Sequence, residues 1–209
     1  MKLLQSWLLP LLGYSLATGP VPVRVTFSPL TKAAYLAAKK TAVLAKPATT
    51  FPLKKVRGRI VIPTAKGRVI FKDNDVSEEN LEWEKYAYRG YSSQLECHLI
   101  EHSHYERIGS ILLDKYGGQI ETYDMPIYSP DFKKFATISA GLEDTIYSNS
   151  IRFFRRENHH WNQIWELEQA TWEPVEIQWL STSTLLLKKR MWAGKNPGST
   201  YTYSRLSIQ

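Results

Sequence analysis

Three histidines, His98, His102 and His104, all fall at alternate positions within the run from Leu95 to His104. In an extended strand they share one face with Glu96, while Leu95, Cys97 and Leu99 point to the other. Imidazoles on one face can ligate zinc or copper. A solvated polar face explains the same pattern more simply, so no metal or other cofactor is assigned. Cys97, on the apolar side, reads as a small buried hydrophobe rather than a nucleophile. As the only cysteine it leaves no intramolecular disulfide. Asp73, Asp75, Glu78, Glu79, Glu82 and Glu84 form an acidic cluster of hard oxygen ligands. Their spacing is not that of a twelve-residue calcium loop, and a solvated loop is expected.

Aromatic residues offer a second kind of chemistry. Trp161, Trp165, Trp172, Trp179 and Trp192 crowd the C-terminal third. Aromatic faces stack on sugar rings, which makes Trp161, Trp165 and Trp172 the candidate binding residues. Trp161 and Trp165 share a face if one strand runs through both. Packing between sheets is the competing use of the same side chains. No nucleophile elbow, H-E-x-x-H helix, phosphate-binding glycine loop or paired-cysteine motif occurs, and no catalytic residue is assigned.

The elements that would position these groups are strands. Ile111 to Asp114 is an apolar run, Gly117-Gly118 a turn, and Gln119 to Tyr123 the returning strand. Ser129-Pro130-Asp131 is turn chemistry, followed by the strand Phe135 to Ser139. This order, with Lys133 after the Ser-Pro-Asp turn, resembles one unit of a TolB-like β-propeller repeat. Phe132 stands where that repeat usually has glycine. A weaker echo lies fifty residues on, where Ile177, Trp179, Leu185 and Leu187 fall opposite Ile127, Ser129, Phe135 and Thr137. The resemblance implies a fold and no active site, because such repeats serve unrelated functions.

Further strands are expected at Arg59 to Ile62, Arg68 to Lys72, Ile151 to Phe154, Asn162 to Glu168, Thr184 to Met191 and Tyr201 to Ile208. His159-His160 is expected in the turn between the third and fourth of these. Consecutive apolar residues, as in Phe153-Phe154 and Leu185-Leu186-Leu187, imply sheets covered on both faces. The fold class is therefore all-β and antiparallel, as propeller-like blades or a compact β-sandwich. About 150 residues at about 45 per blade give roughly three blades, fewer than a closed ring of four to eight.

Charge divides the chain. From Pro20 to Lys72 there are twelve Lys or Arg and no acid; from Asp73 to Gln209 there are fourteen basic and twenty acidic residues. Residues 1–17 resemble a secretory signal peptide, with Lys2 before an apolar run and small residues at Ser15 and Ala17. Residues 18–55, rich in Ala, Lys and Pro, read as a flexible basic linker with at most a marginal helix at Thr31 to Lys46. Residues 56–209 form the all-β domain. The expected protein is secreted or periplasmic, without a transmembrane span after processing, and free to form an oligomer. It is expected to be a non-catalytic interaction or structural protein, its partner a protein or a cell-envelope polymer. A glycan- or polyanion-binding module is the alternative, and a metal-dependent enzyme the remotest reading. No specific nucleic-acid recognition is expected.

Overall fold

The computed structural model describes residues 23–75, 83–104, 107–122, 124–141, 148–191 and 200–209. The expected signal peptide, Glu78, Glu79, Glu82 and Trp192 lie outside them. Four antiparallel sheets follow one another along the chain. The first is a hairpin of β2 (Arg59–Thr64) and β3 (Gly67–Lys72). The second is a meander of β4 (Glu84–Ser92), β5 (Cys97–His104), β6 (Arg107–Asp114) and β7 (Gln119–Thr122). The third is β8 (Ile127–Tyr128), β9 (Lys134–Ser139), β10 (Asn149–Glu157) and β11 (His160–Gln169). The fourth is β12 (Trp172–Trp179), β13 (Thr184–Met191) and β14 (Thr200–Ile208), completed by β1 (Val25–Leu30).

The sheets pack face to face with three cores between them. Ile60, Ile62 and Phe71 of the hairpin meet Ile100, Ile111 and Leu113 of the second sheet. Leu95, Cys97 and Leu112 meet Tyr128, Phe135, Phe154 and Trp161 of the third sheet or its edge. Ala136, Ile151 and Phe153 meet Ile177, Trp179, Leu185, Leu187, Leu206 and Ile208 of the fourth. The two middle sheets are thus buried on both faces. That is why Phe153 and Phe154, adjacent in sequence, belong to different cores. Of the residues in the fifty-residue echo, Ile127 and Ile177 lie in the first strands of their sheets and Phe135, Thr137, Leu185 and Leu187 in the second, whereas Ser129 lies just beyond β8 and Trp179 within β12. No helix among the described residues is long and apolar enough to cross a membrane.

The reading of residues 18–55 as a flexible linker is corrected for residues 25–50. β1 pairs along its whole length with β14, from Val25 opposite Ile208 to Leu30 opposite Tyr203. The helix α1 (Lys32–Lys39) follows, its N-cap Thr31 accepting from the Ala34 N–H at 3.1 Å. It lies over the outer face of the fourth sheet through one buried side chain, Tyr35, whose ring is 4.6 Å from that of Tyr203. Tyr35 donates to Glu176 Oε2 at 3.0 Å and Lys39 pairs with Glu176 Oε1 at 2.5 Å. Burial alone would raise the Glu176 carboxyl pKa, but these two partners outweigh it and hold the value low. A helix anchored by one aromatic and one ion pair shows no apolar stripe in its sequence.

Residues 43–50 then cross the first strands of all three four-stranded sheets. Val43 bridges Trp179 in β12, Ala45 bridges Tyr128 in β8, and Thr50 bridges Tyr91 in β4. The Val43 N–H donates to the Trp179 carbonyl at 2.8 Å, and Thr50 and Tyr91 exchange backbone bonds at 2.9 and 2.7 Å. This strap binds by its backbone, so its Ala, Lys and Pro content carries no sign of the role. Against it lies Gly90, at φ +106°, where an added Cβ would stand 2.6 Å from the Thr50 carbonyl oxygen.

Gly90→Ala is expected to cost roughly 1–3 kcal/mol from the backbone conformation alone, and more because the strap must move. Gly67, at φ +120°, has open space around its Cβ position, so Gly67→Ala carries only the conformational part. Urea unfolding of both variants separates the terms; equal losses would show that the strap contact contributes nothing.

Candidate functional site

The most constructed polar site lies where the turns of the second and third sheets meet. β6 ends at Asp114, and the turn through Gly117 and Gly118 leads into β7. The Asp114 side chain is almost fully buried (3% exposed). Its Oδ1 accepts from the backbone N–H of Tyr116 at 2.7 Å and of Gly118 at 2.9 Å, so the carboxylate organises its own turn. Its Oδ2 lies 2.6 Å from Nδ1 of His160, the first residue of β11. The hairpin before His160 turns at Asn158 and His159, both at positive φ (50° and 69°), as a two-residue hairpin requires. Gly118 must lack a side chain: a Cβ there would run into Asp114 Oδ2 and come within 3.1 Å of His160 Nδ1.

With Nδ1 directed at a carboxylate, the neutral imidazole carries its proton there and leaves Nε2 as a lone-pair acceptor. The His160 side chain is half-exposed and borders a cavity of about 220 Å³. Leu112, Gln119, Ile120, Trp161 and Asn162 complete the lining with Asp114 and Gly118. Beside it, His159 Nδ1 is 2.5 Å from Glu96 Oε2, and Arg156 Nη1 is 3.4 Å from Glu96 Oε1. The His159 bond outweighs partial burial and, with Arg156 and Lys115, holds the Glu96 carboxyl below its ordinary pKa. These pairs join the β4–β5 turn to β10 and the turn that follows it. A second cavity, about 300 Å³, lies by Glu173 and Arg190, but those two charges pair with each other.

The three candidate tryptophans do not form one platform. A β-bulge leaves Ile164 without a partner, since Phe153 faces Trp165 and Phe154 faces Gln163. The extra residue reverses the parity, so Trp161 enters the second core and Trp165 the third. The expectation that they share a face is corrected by this bulge. Trp161 is 5% exposed, with Phe135 4.9 Å from its ring, and borders the cleft. Its indole N–H faces the Cys97 thiol and has no hydrogen bond of ordinary geometry. Trp165 stacks on Phe153 at 5.2 Å, and Trp172 carries Lys189 Nζ 5.1 Å from its ring centre.

The histidine face exists, with the expected parity, but the hairpin β2–β3 covers part of it through Ile100. His98 Nδ1 is 2.9 Å from the Tyr88 hydroxyl, and its ring is 5.0 Å from that of Tyr91. His102 Nδ1 is 2.6 Å from Glu121, with Glu84 3.7 Å from Nε2 and Tyr86 stacked on the ring at 4.7 Å. His104 lies 6.1 Å from His102, ring to ring. Among the described residues no group of three His, Cys, Asp or Glu side chains could hold a metal ion. Of the acidic cluster, Asp73 bonds Lys55 and the Tyr86 N–H, and Asp75 pairs with Lys85. Burial pushes the Cys97 thiol up to about 12, far from a nucleophile's range.

Comparison with known proteins gives no relative: no protein-family model, no curated protein and no solved structure matches the chain.

Burial holds the His98 imidazole below its ordinary pKa. The folded state therefore resists a proton that the unfolded state accepts from about pH 6.5 downward. Stability should fall as pH drops from that value through the lower folded pKa, and His98→Gln should flatten the fall. Urea midpoints across that range test this; identical slopes for both proteins would exclude His98 as a source.

Proposed function

We propose that the protein is a non-catalytic binding protein that takes a neutral polyhydroxylated ligand, a sugar ring or chain end, in the cleft beside His160. The observation that carries this reading is the lining. One oriented acceptor, His160 Nε2, and two amide residues, Gln119 and Asn162, line the cleft with the apolar Leu112, Ile120 and Trp161. Amides both donate and accept, as do sugar hydroxyls, and the apolar lining suits the C–H face of a ring. The cavity of about 220 Å³ is smaller than the roughly 300–1,000 Å³ of drug-sized sites, which favours a single ring.

The surrounding architecture is that of an interaction scaffold. The four-stranded sheets are propeller-type blades in this reading. Support comes from their sequential strand order, from the Ser129 turn and from completion of the last sheet by an earlier strand. At that turn Ser129 Oγ accepts from Lys134 N–H at 2.9 Å, and Phe132 takes φ 56°, a conformation that costs glycine nothing. Three such units and a two-stranded hairpin fall short of a closed ring, so a ring would need further units. Export to the periplasm or the medium belongs to the same proposal, on the strength of the apolar run Leu3 to Leu16.

Titration with soluble wall oligosaccharides, followed by tryptophan fluorescence and calorimetry, tests the cleft. Binding should be insensitive to salt. His160→Ala and Asn162→Ala, both at exposed positions, should each weaken it about tenfold, the size of one lost hydrogen bond of ~1.4 kcal/mol, without altering the fold. Unchanged affinity in both variants would remove the cleft as the site. Ligand turnover that depends on His160 would replace binding with catalysis.

A further inference from the structure

We propose that the outer face of the first hairpin is a docking surface for an anionic lipid bilayer. This surface is independent of the cleft. In β2 and β3, Ile60, Ile62 and Phe71 point inward and are buried. The opposite face carries the cross-strand pairs Arg59–Lys72, Val61–Ile70 and Pro63–Arg68. Val61 is 39% and Ile70 56% exposed, so no described residue covers this face.

Two features point to an anionic, partly apolar partner. The first is charge. Residues 57–72 hold five cations, Arg57, Arg59, Lys66, Arg68 and Lys72, and no acid. Arg59 and Lys72 stand directly opposite each other, an arrangement that destabilises a sheet. Other basic residues of this part of the chain are neutralised, Lys39 by Glu176 and Lys55 by Asp73. The hairpin face lacks such partners among the described residues. The second feature is the Val61–Ile70 pair at the centre of the face, with Val56 (63% exposed) bridged to Arg59 at its base. Cations around an exposed aliphatic centre match the boundary between anionic headgroups and acyl chains. A soluble polyanion would engage the cations and gain nothing from the valine and isoleucine. A second copy of the same face would bring like charges together.

The test is sedimentation of the purified chain with vesicles of phosphatidylcholine alone and of phosphatidylcholine with phosphatidylglycerol, at low and high salt. Neutral vesicles report what the apolar residues 3–16 contribute. The expected result is an increment with phosphatidylglycerol that high salt removes. Each cation near such a surface is worth about fivefold in partitioning, so Arg59→Gln/Lys72→Gln should reduce the increment on the order of twentyfold. Val61→Ser/Ile70→Ser should reduce it as well. All four side chains are exposed or at the exposed margin, and circular dichroism with urea unfolding confirms that the variants fold. Arg59→Gln alone should slightly raise stability by relieving the like-charge pair.

An increment unchanged in Arg59→Gln/Lys72→Gln would overturn the proposal. So would an increment that survives Val61→Ser/Ile70→Ser and is competed fully by a soluble polyphosphate, since the surface would then recognise polyanions and not a bilayer.

Discussion

The strap at residues 43–50 is the constraint on which the arrangement of the sheets depends. Each four-stranded sheet can satisfy its own ladder, but face-to-face packing of side chains does not by itself fix where one sheet lies along another. Backbone pairing of Val43, Ala45 and Thr50 with Trp179, Tyr128 and Tyr91 gives the first strands a common reference. The hydrogen bonds are directional, whereas the apolar contacts between sheets are not. Trp179 adds a second tie of the same kind, its indole N–H donating to the Ile127 carbonyl at 2.7 Å across the third core. Gly90 is the local cost, since its missing side chain is the space through which the strap passes.

The cleft depends on that alignment. Asp114 and His160 are 46 residues apart and belong to different sheets. Their 2.6 Å contact exists only if the two sheets sit in one relative position. The buried carboxylate satisfies itself first with the two N–H groups of its own turn, which fixes the direction of Oδ2. His160 then joins an oriented acceptor. A polar group assembled in this order is rigid before any ligand arrives, which lowers the ordering cost of binding.

The sequence exposes the features that are local and hides those that are made by backbone or by distance. The β5 alternation, the Gly117-Gly118 turn and the faces of β14 follow from period-two patterning. In β14 Ser204, Leu206 and Ile208 are buried and Arg205 exposed, as alternation requires. The bulge at Ile164 has no such signature, so the faces of Trp161 and Trp165 were not legible. β1 and the strap are built from residues that score as linker because their contacts are amide to carbonyl. Asp114 and His160 are each visible as turn-flanking residues, but nothing in either stretch announces the other.

The pairing of β1 with β14 has a consequence for how the chain acquires its fold. Val25 is opposite Ile208, and Arg24 and Gln209 exchange backbone hydrogen bonds at 3.1 and 2.9 Å. The fourth sheet therefore closes a very long loop, from Val25 to Ile208, and such high contact order slows folding. During synthesis β1, the helix and the strap have no partners until the sheets they join have been made. A chain in that condition cannot complete its final cooperative step before the strand at residues 200–208 has been made.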